Sequence, residues 1–549
     1  MDTLADFCAL LPPLPLPEEM RQWDADAAAL GLSPAMLMEN AGHVALDVLL
    51  GHCPDVAGAP VWLFMGSGNN GGDAACIARL LADRGAQPLL FHARPLADVG
   101  AASALHLSLA RANGVRTAPL AELDAAIAGA LAAGGTPPRI LVDGLLGTGF
   151  SGTLRPGMQA AIEQVNALSA RLPGCFVLAV DIPSGLDAVS GRPSPVAVRA
   201  HATVSLAAAK PGLVLPHAAP WVGALHVGDI GMPAPARRPV RHYLLDGHAL
   251  GALPEPAPEN YKNSFGHVLV IGGAPGLSGA GHLAAASALR AGAGLVSAAA
   301  PASALAAIRS GWPEIMTVGL GPEDAERWPR ELPENLLAAL GRATALAVGP
   351  GMGRGEDAAA FLAALLALPD RPPTVIDADA LILLSREPAL YSRLTGADVL
   401  TPHPGEAAAL LATDTANIQG DRPASLAALC GLSPAAVVLK GAGTLVGQAG
   451  APVFLSPYAV PALAMGGSGD VLAGCIAALL AQGSRQGGPA LRGAAVGVAL
   501  HALAGRELGR AFPSRGCRAS ELADALPHVR AGLAPQSLAG WERRMPWPA

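Results

Sequence analysis

Aromatic residues make up only 4% of this 549-residue chain and charged residues only 14%. Hydrophobic residues reach 51%, much of that alanine, so disorder is excluded and the cores must be built from small side chains. Such cores suit parallel sheets covered by helices better than aromatic-rich binding surfaces. The formal net charge is −7 and no basic run occurs, so the clustered positive footprint of a nucleic-acid binder is missing. Cysteine is sparse and scattered (Cys8, Cys53, Cys76, Cys175, Cys430, Cys475, Cys517), with no CxxC pair. That argues against a zinc or disulfide framework and for reduced thiols in a cytoplasmic protein. Asp2, Asp6, Glu18 and Glu19 precede the first basic residue, Arg21, which is the wrong charge for a signal or transit peptide. Long apolar runs are missing too. The uncharged stretches 291–308 and 441–469 are broken by glycines and by Pro301, Pro452, Pro457 and Pro461, so no membrane partner is expected.

What the chain has is length for more than one domain and one proline-rich boundary. Pro233, Pro235, Pro239, Pro254, Pro256 and Pro258 fall within 231–260, a segment that resists helix formation. It separates a domain at 1–235 from one at 236–549. In each half, short apolar runs ending in glycine or a polar residue alternate with alanine- and leucine-rich helical stretches. The pattern predicts the α/β class, with parallel sheets between helical layers and ligands beyond the C-terminal ends of the strands.

In the N-terminal half, the strand 61–65 runs into GSGNNGGD, where Gly66, Gly68 and Gly71 match GxGxxG. A dinucleotide fold of the standard kind also wants an acid at the end of the next strand, but that strand ends His92-Ala93-Arg94. What remains is a tight turn into a helix N-terminus, suited to phosphate, with Asn69 and Asn70 adding oxygen acceptors. VDGLLGTGFSGT and VDIPSGLD place Asp143 and Asp181 directly after apolar runs. Carboxylates there must be paired, hold a cation, or serve as a general base. Helix capping by Asp143, Asp181 or Ser184 is the plainer alternative.

These motifs, with LMENAG at 37–42, resemble the NAD(P)HX epimerase domain over about residues 10–235. The resemblance implies a Rossmann-like three-layer sandwich that interconverts the C6 epimers of hydrated NADH or NADPH. It implies substrate contacts from Asn69, Asn70, Gly71, Gly72 and Asp73, and from Gly147, Thr148, Gly149, Phe150, Ser151, Gly152 and Thr153. Asn70, Asp143 and Ser184 would surround a potassium ion, and Asp181 would contact substrate as the candidate proton shuttle. Ala74-Ala75 departs from the family's usual glycine after NNGGD.

In the C-terminal half, strand ends carry Gly272-Gly273, GPGMGRG (349–355), Asp377 with Asp379, TPHPGE with His403 and Glu406, and KGAGT (440–444). Lysine with glycine amides is a plausible phosphate set, although no GxxxxGK[ST] occurs. MGGSGDVLAG (465–474) joins three glycines to an acid at the start of an apolar helix. Glycines admit a phosphate to the backbone, the helix dipole contributes about half a positive charge, and Asp470 can take the proton of an attacking hydroxyl.

The GSGD loop resembles the ribokinase-like superfamily. With KNSFGHVLVIGG, SGAGHLAAASALRAGAGLV, GPGMG, TPHPGE and KGAGT, the match over about 245–530 is similar to ADP-dependent NAD(P)H-hydrate dehydratase. It implies that Lys440, Gly441, Ala442, Gly443, Thr444 and Gly469 contact the adenine nucleotide. Ala280, Gly351, Gly353, His403 and Asp470 would contact the hydrated cofactor, with Asp470 as the catalytic base. Mg2+ would accompany ADP as phosphoryl donor, and small molecules would be the partners of an expected homo-oligomer. Two other readings stand beside these: a small-molecule kinase in the C-terminal half, and a non-catalytic binding module in the N-terminal half.

Overall fold

The computed structural model describes residues 3–150, 152–484, 489–512 and 515–532. They form two compact units, one of residues 13–242 and one of residues 3–12 with 243–532.

The first unit is built on seven strands: β1 (Pro60–Met65), β2 (Gln87–His92), β3 (Arg116–Pro119), β4 (Ile140–Gly144), β5 (Phe176–Val180), β6 (Ala202–Leu206) and β7 (Ala224–Gly228). They run parallel in the order β3-β2-β1-β4-β5-β6-β7. Every residue of β4 and β6 is buried, as a sheet covered on both faces requires. Trp62, Phe64, Leu141 and Val177 share a core with Ile162, Val165 and Leu168 of the helix Pro156–Arg171. The alternate residues turn to the other face, where the helix Asn69–Ala82 packs on β1, β2 and β4.

The second unit carries ten strands: β8 (His242–Leu244), β9 (His267–Ile271), β10 (Leu295–Pro301), β11 (Ile315–Leu320), β12 (Ala345–Val348), β13 (Thr374–Ile376), β14 (Val399–Leu400), β15 (Ala436–Leu439), β16 (Leu445–Gly447) and β17 (Val453–Leu455). Their order is β11-β10-β9-β12-β13-β14-β15-β16-β17-β8. The sheet is parallel from β11 to β15, and β16 and β17 then turn back antiparallel. Small residues set the helix packing. A Cβ on Gly474 would stand 2.0 Å from the Ala284 carbonyl, so the helices Ser468–Ser484 and Ser278–Arg290 touch backbone to backbone.

Both units are therefore α/β with helices layered on a mainly parallel sheet. Two features differ from the sequence expectation, and one strand is not anticipated by it. Residues 3–12 belong with the C-terminal unit, because Phe7 is fully buried 5.3 Å from the Phe454 ring and Leu244 N donates to Pro12 O. The proline-rich segment is more than a spacer, since it supplies the edge strand β8. The stretch 291–308 contains β10, whose alanines are buried between β9 and β11. Among the described residues no helix is long and apolar enough to cross a membrane. Strand order reverses between β1 and β4 and between β9 and β12, and crevices form at such switch points.

Candidate active sites

In the first unit a cavity of about 580 Å³ lies beyond the ends of β1, β4 and β5. The loops around it cross at backbone distance. A Cβ on Gly66 would meet the Leu145 carbonyl at 1.8 Å, and one on Gly71 would meet the Gly66 carbonyl at 2.1 Å. Asn69–Asp73 forms the first turn of its helix, with Gly68 as N-cap, and Gly68, Asn69, Asn70 and Asp73 line the cavity, so this helix N-terminus borders ligand-binding space.

Asn70 Nδ2 donates to Leu146 O at 2.8 Å, while its Oδ1 is buried without a partner. Leu146 N donates to Ser184 Oγ (2.8 Å), and Ser184 Oγ donates to Asp143 Oδ1 (2.6 Å). Asp143 also accepts from the amides of Ser184 (2.7 Å) and Leu145 (3.2 Å). Burial outweighs those bonds and pushes its carboxyl up to about 6. An orphaned amide oxygen, a hydroxyl and a buried carboxylate gathered at one backbone turn fit an oxygen-ligated cation such as potassium.

Asp181 follows β5 with φ +64, a left-handed backbone that non-glycine residues adopt at a cost. Its carboxylate is ion-paired with Lys210 and accepts from Leu206 N at 3.3 Å. Lys210 also donates to Ser205 Oγ (3.1 Å) and Leu206 O (3.0 Å). Asp73 borders the same cavity with no hydrogen bond to the described residues. Burial, then the Asp181 charge, holds its carboxyl well above the usual range.

In the second unit, Lys440 at the end of β15 donates to Asp377 Oδ1 (2.6 Å) and stands 3.7 Å from Glu406 Oε2. Burial works against its charge, but Asp377, Glu406 and Asp470 outweigh it and raise its pKa. Asp470 lies in the first turn of the helix Ser468–Ser484 rather than at its cap. Burial, reinforced by Asp377, pushes it up to about 7. A Cβ on Gly469 would stand 3.3 Å from Lys440 Nζ, so glycine keeps that approach open.

His403 caps the helix Pro404–Leu410: its Nδ1 accepts from Gly405 N (3.0 Å) and Glu406 N (3.3 Å). Burial and Lys440 lower its pKa; with Nδ1 accepting from two amides, the ring proton is on Nε2, 3.3 Å from Glu406 Oε1. A Cβ on Gly351 (φ +59) would lie 3.0 Å from Ala280 Cβ, and Gly353 N donates to Asp379 Oδ2 at 2.9 Å. The loop 440–444 is held from behind by Arg422. Its buried guanidinium donates to the carbonyls of Leu439 (2.9 Å), Lys440 (3.3 Å) and Gly443 (3.3 Å).

Residues 268–528 match the family model described as NAD(P)H-hydrate dehydratase, and residues 34–212 match that of the YjeF-related protein N-terminus. The bifunctional NAD(P)H-hydrate repair enzyme of Moorella thermoacetica is 36% identical over 94% of this chain and 96% of its own length. The chain belongs to the bifunctional NAD(P)H-hydrate repair enzymes. The Coxiella burnetii member is 32% identical, over 93% and 97% of the two chains. A solved structure of ADP/ATP-dependent NAD(P)H-hydrate dehydratase from Bacillus subtilis, co-crystallized with ATP/Mg2+, is 25% identical. It covers 52% of this chain and 96% of its own, with a TM-score of 0.42.

In this repair enzyme, Asn69, Asn70, Asp73, Gly147, Thr148, Gly149, Phe150 and Asp181 line one cavity. Gly71 and Gly72 are buried in the turn beside it, Gly72 against Met38. Gly152 and Thr153 are exposed and do not line it, and Ser151 lies outside the described residues. Asp470, Gly469, Lys440, Glu406 and His403 come together around the ends of β13 to β15. Sequence reasoning missed Lys210, Asp24 and Arg422. For Lys210 a signal existed: the chain has only three lysines, Lys210, Lys262 and Lys440.

Proposed function

We propose that the two units divide the repair of hydrated NADH and NADPH. The first interconverts the R and S epimers at C6, and the second dehydrates the S epimer with ADP, releasing AMP and phosphate. The observation that carries the dehydratase half is Asp470, a carboxyl poised near neutrality in a helix's first turn, within the field of Lys440. With magnesium–ADP as phosphoryl donor, Asp470 takes the proton of the C6 hydroxyl as that oxygen attacks the terminal phosphorus. The C6–O bond then breaks with help from the ring nitrogen lone pair, a proton leaves C5, and the dihydronicotinamide is restored. A base with a pKa near the working pH is the efficient choice. Lys440, the amides of 441–444 and Gly469 hold the nucleotide. Ala280, Gly351, Gly353 and the Nε2 proton of His403 hold the hydrated ring.

In the first unit, Asn69–Asp73 and 147–150 bind the hydrated dinucleotide, and Asp181 moves a proton to or from the oxygen at C6. Asn70, Asp143 and Ser184 would hold a potassium ion, which supplies positive charge beside the substrate. The buried, partnerless Asn70 Oδ1 supports that assignment. A homo-oligomer in the cytoplasm is the expected form, checked by light scattering and cell fractionation.

The test supplies mixed epimers of hydrated NADH with ADP and magnesium and follows the absorbance of restored NADH. Full recovery is expected. Recovery of one epimer alone removes the epimerase, and no recovery removes both activities.

A further inference from the structure

Inverting C6 by loss and return of water needs two proton-handling groups, because the hydroxyl leaves one face of the ring and water adds to the other. Asp181 is one. Asp73 is nearly enclosed, at 6% exposure, and poorly placed to reload a proton from solvent. A third carboxylate lines the cavity: Asp24, from the helix Pro17–Ala29.

Three observations single it out. Asp24 is partly buried yet makes no hydrogen bond to any described residue, a cost that a cavity ligand would offset. Its neighbours on the helix are committed elsewhere. Asp26 is paired with Arg238, and Glu19 accepts from the amides of Leu16 and Arg241. Trp23, 2% exposed, donates to Arg238 O at 3.1 Å and fixes the helix, so Asp24 is presented on a rigid element.

We propose that Asp24 is the second catalytic acid–base group of the epimerase cavity, working with the Asp181–Lys210 pair. This rests on the epimerase reading above. Burial, then the Asp181 charge, raises the Asp24 carboxyl against the opposing pull of Lys210, which favours the protonated form that an acid needs. Asp24 gives its proton to the C6 hydroxyl. The C6–O bond breaks, the nitrogen lone pair forms the N1=C6 iminium, and water departs. A solvent water then adds to the opposite face of C6, the iminium electrons return to nitrogen, and the surplus proton passes to Asp181. One water leaves and one enters. The opposite epimer runs the same steps with the two carboxyls exchanged. Lys210 is a positioning residue here, holding Asp181.

The test uses the full-length chain with the separated R epimer. Asp24→Asn should lower kcat for epimerisation on the order of 10²-fold or more with KM little changed, while the S epimer is dehydrated at the wild-type rate. Asp24→Glu should recover part of the loss, and product formed in oxygen-18 water should carry the label at C6. Wild-type epimerisation by Asp24→Asn would overturn the assignment. So would a loss confined to KM, equal rates for the Asn and Glu variants, or unlabelled product. A wild-type chain that leaves the R epimer untouched would instead sink the epimerase reading itself.

Discussion

Each unit buries a lysine–aspartate pair at the C-terminal end of its sheet, and the two lysines have different donor capacity left. An ammonium has three hydrogens. Lys210, 1% exposed, gives all three to Asp181, Ser205 Oγ and Leu206 O. Among the described residues Lys440 hydrogen-bonds to Asp377 at 2.6 Å and is ion-paired with Glu406 at 3.7 Å. The first lysine is used up in holding a carboxylate still. The second is less fully engaged, with Asp377 as its close partner and Glu406 farther off, which leaves donor capacity for an incoming anion. The same residue pair beyond the strand ends therefore acts as a brace in one unit, while in the other it suits the phosphate-contacting role proposed for Lys440. The count of remaining donors decides which.

The largest expected effect breaks the two units apart. Asp470→Asn removes the base, so dehydration should fall on the order of 10²–10⁴-fold while epimerisation is unchanged, measured with separated epimers. An equal loss in both activities would mean that the units do not act independently.

Next comes the brace. Lys210→Met leaves Asp181 at the cavity wall without its cation; breaking a fully buried pair costs about 3–5 kcal/mol, and a smaller loss is expected for this half-buried carboxylate. The first unit should unfold earlier in urea, and epimerisation should fail. Lys440→Met also strips the cation from a buried acid, Asp377, so it should lower stability as well, but it should in addition raise the KM for ADP. If both variants destabilise equally and ADP affinity survives, the distinction drawn from donor count is wrong.

The acids at strand ends were legible in the sequence, because a carboxylate directly after an apolar run must have a purpose. Asp143, Asp181 and Asp377 stood out in that way, and Asp470 by the three glycines before it. Asp24 did not. It lies among Glu18, Glu19 and Asp26 on one helix, and only tertiary packing separates the acid facing a cavity from the acid facing Arg238. Lys210 was hidden because β6, the strand before it, follows β5 across a loop that carries the more conspicuous SGLD motif. β10 was hidden by composition: alanine favours helix, and burial between two strands overrode that preference. The positive φ of Asp181 is equally invisible in sequence, since nothing local demands it.

The pH dependence separates the units by about tenfold per pH unit. Asp470 accepts a proton only when ionised, and its pKa stands near 7. Dehydration should therefore be at full rate above that value and fall as pH drops through it. The limb should vanish from the residual activity of Asp470→Asn. Epimerisation in the same preparation should not follow it.

The smallest effect concerns Arg422, which touches the nucleotide loop only from behind. Its Nη2 donates to three loop carbonyls while its Nη1 donates to Gln419 Oε1 at 2.9 Å, and burial pulls its pKa down to about 10, so the guanidinium is held at some electrostatic cost. Arg422→Lys keeps the charge but offers one nitrogen where the guanidinium uses two, so the loop carbonyls and Gln419 Oε1 are no longer tied together by one rigid group. The loop 440–444 should lose its fixed shape without losing Lys440 itself. The KM for ADP should rise a few-fold, kcat should barely move, and epimerisation should be untouched. A fall in kcat as large as that of Asp470→Asn would place Arg422 in the chemistry rather than behind it.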